Sequence, residues 1–179
     1  MQYGQPYKLG ENGEKKTPNP TTFGAVIDEK VKLEDKSWAK LQEDVPGDKG
    51  LRETWDEAIK KVNPHGIIYM IDGRLNEKDL QSKVREMYED VLKEYQGALG
   101  NLATFHIFVS FSDVWMDSEV KARQKARFVE QEADKLILEN PLFESLVIQT
   151  HVIQLSPNKK SWDKADKAIT KFGTDLKDT

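Results

Sequence analysis

The chain has 179 residues, 37% of them hydrophobic and 32% charged, with a formal net charge of −4 and no cysteine. That length suits one domain around one core, the acidic balance disfavours generic phosphate-backbone binding, and the lack of thiols excludes disulfides, thiolate metal sites and cysteine nucleophiles. The longest apolar runs, such as 105–111, fall far short of the ~20 residues of a membrane-spanning helix, and the polar N-terminus has no signal-peptide pattern. The expectation is a cytoplasmic protein with no transmembrane segment and no nucleic-acid partner.

Residues 1–24 carry Gly4, Gly10, Gly13, Gly24, Pro6, Pro18 and Pro20 among few apolar side chains, which is loop chemistry. Segment 25–33 alternates, with Val26, Ile27, Val31 and Leu33 among charges, and 37–42 alternates again after Glu34, Asp35 and Lys36, so a β-hairpin is expected whose second strand runs into Asp44. Leu51, Trp55, Ala58, Ile59 and Val62 form one helical face over 50–62, and Pro64 follows to stop the helix.

From there the pattern becomes α/β. The nearly continuous apolar run 66–71 reads as a strand buried on both faces of a parallel sheet. A long helix over 77–99 places Leu80, Val84, Met87, Val91, Leu92 and Tyr95 at three and four spacing. Then come a strand at 105–111, a helix at 118–139, a strand at 146–155 and a helix at 161–176. Alternating strands and helices imply a doubly wound, mostly parallel sheet, whose ligands bind where the strands end.

Four strand ends therefore matter: DVPGDKGLRETW at 44–55, Asp72 with Gly73, SFSDVW at 110–115 and SPNKK at 156–160. A fifth candidate, GENGEKKT at 10–17, places Gly10, Lys16 and Thr17 in register with the phosphate-binding pattern G-x-x-x-x-G-K-[ST], but Lys15 stands where the second glycine belongs. No strand run precedes it, and Pro18 and Pro20 forbid a useful helix after Thr17, so amides cannot converge there on a phosphate.

Asp44-Val45-Pro46-Gly47 matches D-x-x-G and is followed by Arg52 and Trp55 at the start of the next helix. In this arrangement the chain resembles the small GTPases of the Ras superfamily, most closely the Arf-like and signal-recognition-particle-receptor-β-like branch, from about residue 3 to the C-terminus. The resemblance implies a P-loop GTPase type of sheet with an N-terminal β-hairpin, the usual first strand, P-loop and first helix being missing. Segment 1–24 is then a switch-I-like loop, and 25–179 the GTPase-like α/β domain.

The resemblance also implies Mg²⁺ with GTP or GDP. Asp44 would reach Mg²⁺ through water, the Gly47 amide would bond the γ-phosphate, and Thr21 or Thr22 in PTTFG would ligate Mg²⁺ in the triphosphate state. Asp113 would accept hydrogen bonds from guanine, although Ser110 and Phe111 replace the asparagine and lysine of N-K-x-D, and Ser156 would contact the base. Asp48 stands where Ras-like enzymes place the water-orienting glutamine, so no catalytic residue is assigned and hydrolysis by this chain alone is not expected. A protein partner is expected through a switch-like surface at 3–24 and 44–62. The readings are a guanine-nucleotide-dependent switch completed by an upstream P-loop, or a pseudo-GTPase interaction module that binds no nucleotide.

Simpler roles stand beside these. D-x-x-G can be a plain turn, Trp55 can be core, and Asp72 and Asp113 can cap the segments they begin. His65, His106 and His151 lie on three elements without ligand spacing, which argues against a metal site and for structural histidines in the strands. The charged run 121–135 reads as a solvated helix face.

Overall fold

The computed structural model describes residues 25–32, 38–44, 52–110, 118–153 and 159–176. Strand β1 (Ala25–Lys32) pairs antiparallel with β2 (Trp38–Asp44), Ala25 lying opposite Asp44 and Lys32 opposite Trp38, with a register shift between Val26 and Glu29. Helix α1 (Arg52–Val62) buries Trp55 and Ile59 in the core. It stops one residue before Pro64, at Asn63, whose φ of 47° is a left-handed cap that asparagine tolerates; the Asn63 amide donates to Ile59 O at 3.0 Å.

Three parallel strands follow, in the order β3 (Gly66–Asp72), β4 (Thr104–Ser110), β5 (Val147–Val152). Gly66 lies opposite Thr104 and Asp72 opposite Ser110, and on the other side Thr104 pairs with Val147. The crossovers run through α2 (Glu77–Met87) and α3 (Glu119–Ile137), and α4 (Lys159–Asp175) closes the chain of elements. Asn76 caps α2 by accepting from the Asp79 amide at 3.0 Å, and Ser118 caps α3 by accepting from the Lys121 amide at 3.2 Å, each satisfying an orphan donor of the first turn.

Strand alternation sorts the sheet's two faces. Phe105, Ile107 and Val109 of β4 join Ile67, Tyr69 and Ile71 of β3 in the main core, against Leu80, Val84 and Met87 of α2 and Val129, Ala133 and Ile137 of α3. Phe108 turns to the other face, where it meets Ile68 of β3, Ile153 after β5, and Ala168 and Ile169 of α4. Helices thus cover both faces, as the alternating pattern predicts.

Two details differ from the sequence reading. The 77–99 helix is not α-helical throughout: after Met87 it widens into a π-turn over Tyr88–Lys93, with the Glu94 amide donating to Glu89 O, and ends in a 3₁₀ turn at Gln96–Ala98. The wider turn keeps Tyr88, Val91, Leu92 and Tyr95 all in the core. Among the described residues the strands form two sheets, β1-β2 and β3-β4-β5. Nor is β3 buried on both sides: among the described residues it pairs with β4, and Met70 is 53% exposed, whereas the seven residues of β4, flanked by two strands, are all buried.

Gly66 begins β3 under the end of α4, and a Cβ there would lie 2.6 Å from Phe172 Cζ and 2.7 Å from Leu176 Cδ2. Gly66→Val should therefore lower stability by about 1–3 kcal/mol through overpacking, read as a lower urea midpoint at unchanged slope. An unchanged midpoint would contradict this close approach.

Candidate functional site

The candidate site is sought at the carboxyl ends of the strands, where open α/β sheets bind their ligands. β2 ends on Asp44, so the sequence reading placed the first residue of D-x-x-G correctly at a strand terminus, and α1 opens at Arg52. Thr21, Thr22, Gly47, Asp113 and Ser156 lie outside the described residues.

The described part of the rim is a fixed polar scaffold. Asp72, the last residue of β3, accepts from the Arg74 amide at 2.9 Å and grips its guanidinium with both oxygens, Nε at 3.0 Å from Oδ1 and Nη2 at 2.7 Å from Oδ2. The Arg74 side chain beside it holds the Asp72 carboxyl below the usual aspartate range, so Asp72 stays ionised and engaged at neutral pH. This is the capping role among its readings, and it leaves the carboxylate committed to Arg74.

Ser110, the last residue of β4, donates its hydroxyl to Ile71 O at 3.0 Å, and its own carbonyl accepts from the Gly73 amide at 3.2 Å. The ends of β3 and β4 are thereby locked together. Lys125 completes the scaffold from α3: its Nζ donates to the carbonyl of Gly73 and, at 3.1 Å, to that of Leu75. Partial burial pulls its ammonium below the ordinary lysine range.

The reading of 121–135 as a solvated face thus fails at Lys125, which is half-buried and ties the turn after β3 to α3. Nothing in the local spacing marks it, because its partners are main-chain carbonyls about 50 residues away in sequence. A different pair was missed as well: His106 and His151, read as separate structural histidines, touch across β4 and β5.

Chemically, the ends of β3 and β4 offer a rigid polar rim whose Asp72–Arg74 pair is internally neutralised and whose Lys125 ammonium is held by main-chain carbonyls. Among the described residues no group of three or more His, Cys, Asp or Glu could hold a metal ion, and no helix is long and apolar enough to cross a membrane. Asp44 is a hard oxygen donor, and Mg²⁺ suits one or two such protein ligands with phosphate and water completing its shell.

Solved structures share the fold, a mixed α/β domain whose described residues include a three-stranded parallel sheet. One of them is a chain of the signal recognition particle receptor SRb-GTP/SRX complex from Chaetomium thermophilum, with a TM-score of 0.60 over 94% of this chain and 84% of that one at 14% identity. The likeness is one of fold. No family model matches the sequence. No curated protein matches it either.

Proposed function

We propose that the chain is a GTPase-fold domain that acts as a guanine-nucleotide-dependent switch when an upstream phosphate-binding loop completes it. The observation that carries this reading is Asp44 at the last position of β2 with α1 opening at Arg52, in a fold similar to that of a chain found in an SRb-GTP/SRX complex. Asp44 and one of Thr21 and Thr22 would hold Mg²⁺, the Gly47 amide would face the γ-phosphate, and Asp113 and Ser156 would meet the base. Mg²⁺, when bound, supplies charge neutralisation at the phosphates. The surfaces at 3–24 and 44–62 then change with the nucleotide and present themselves to a protein partner, a role consistent with a neighbour that is itself part of a receptor complex.

One observation favours a second reading, a pseudo-GTPase interaction module that binds no nucleotide. Ser110 stands in the place of the N-K-x-D asparagine, is only 7% exposed, and spends its hydroxyl on Ile71 O. It lacks the amide with which asparagine would brace a base-binding loop.

The switch reading requires a triphosphate-specific role for the threonines. Thr21→Ala combined with Thr22→Ala should spare GDP binding and weaken GTP binding at least tenfold, measured by titration in Mg²⁺. Equal loss of both nucleotides would remove switch I from this segment.

A further inference from the structure

On the α4 face of the sheet, four polar side chains form one hydrogen-bonded chain. His106, the third residue of β4, is fully buried. Its Nε2 lies 3.0 Å from Asp175 Oδ2, and its Nδ1 lies 3.0 Å from His151 Nε2. Lys171, one turn before Asp175 on α4, donates to the other carboxylate oxygen. Phe172 meets His106 edge-on at 5.0 Å between ring centroids, and Phe108 meets His151 edge-on at 5.5 Å, so the chain is walled by apolar rings.

Counting hydrogens sets the protonation pattern. A carboxylate only accepts, so His106 Nε2 carries a hydrogen and donates to Asp175. With that ring neutral, Nδ1 of His106 is a lone pair, and Nε2 of His151 must be the donor to it. The next proton goes to Nδ1 of His151, which is half-buried, and both hydrogen bonds survive. A second proton must enter at Nδ1 of His106, setting two N–H groups and two positive rings against each other at the 3.0 Å contact.

We propose that this chain is an acid-released latch that holds the end of α4 on the sheet, closed while His106 is neutral and opened when both imidazoles are protonated. Among the described residues, the charged and titratable groups facing His106 are His151 from β5 and Lys171 and Asp175 from α4; β3 presents Ile68 in register with it, and β5 presents Gln149. Burial is the main cause that pushes His106 down to about 4, helped by His151 and Lys171 and opposed by Asp175. Burial lowers His151 as well. The latch is therefore closed at neutral pH and releases only in distinctly acidic solution.

Hydrogen exchange on the full chain at pH 7 and pH 4, corrected for intrinsic rates, tests it. Amides of 164–176 should lose at least tenfold more protection than those of α3, and the double variant His106→Gln with His151→Gln should abolish that difference. Loss of protection spread evenly over α3 and α4, or an α4-specific loss that persists in the double variant, would overturn the latch. Should that variant not fold, the ring resonances of the unmodified chain decide: His151 titrating first and His106 last near 4, with α4 amides moving in the second step, supports the latch. Both rings titrating at ordinary histidine values while α4 stays unmoved refutes it.

Discussion

Lowering the pH from 7 to 4 should cost the fold about 3 kcal/mol of stability, through His106 alone, at 1.36 kcal/mol per pH unit. The sign follows from the direction of the shift. Burial holds His106 at about 4 in the folded chain, against the ordinary histidine value of 6.5 once it is exposed. Between those values the unfolded chain binds a proton that the folded chain refuses, so stability is full above about 6.5, falls as the pH drops, and levels off below about 4.

Asp72 acts in a separate, more acidic window: its carboxyl is held below 3.8 by Arg74, so its contribution is present above that value and lost as the pH falls through its lowered one. Urea unfolding followed by circular dichroism at several pH values between 7 and 4 would show the decline, and His106→Gln should flatten it. A midpoint that stays level over this interval would contradict a neutral, buried His106.

The second large effect concerns the base. If Asp113 accepts hydrogen bonds from guanine, Asp113→Ala should weaken GDP and GTP equally, by about 1.5–3 kcal/mol for each charge-assisted bond lost. That is roughly ten- to a hundredfold in Kd per bond. The same variant should narrow the preference over ATP, because the carboxylate is the group that distinguishes the guanine edge. Unchanged affinity and selectivity would remove Asp113 from the site and leave it as a turn residue before α3.

Much of the fold was legible because local spacing dictates it. The alternation at 25–33 and 37–42 gave the hairpin, the apolar runs gave β3, β4 and β5, and the three and four spacing of apolar residues gave α2. What escaped depends on neighbours. The runs at 66–71 and 105–111 look alike in sequence, yet among the described residues β4 has a strand on each side and is buried throughout, while Met70 of β3 is exposed. Lys125 and Gln124 are equally polar, and only the third dimension says that Lys125 reaches the carbonyls of Gly73 and Leu75.

The histidines teach the same point. His106 and His151 are 45 residues apart, and no ligand spacing connects them, but strand alternation puts His106 and Phe108 on one face of β4 and the register pairs Phe108 with His151. That register was not available from the sequence. Of the candidate nucleotide site, Asp44 was legible as a strand terminus and is found there. The other assigned residues rest on motif resemblance, since Thr21, Thr22, Gly47, Asp113 and Ser156 fall in segments whose placement local periodicity does not determine.

The most direct test of a guanine-nucleotide switch is a titration of the full-length natural protein carrying this chain with fluorescent GDP and GTP analogues in Mg²⁺, using ATP as competitor. The switch reading predicts saturable binding of both guanine nucleotides that ATP does not displace. Absence of saturable binding by a demonstrably folded protein would contradict it and leave the GTPase fold serving as a protein-interaction module, while the acid response of α4, which depends only on His106, His151, Lys171 and Asp175, would stand or fall separately.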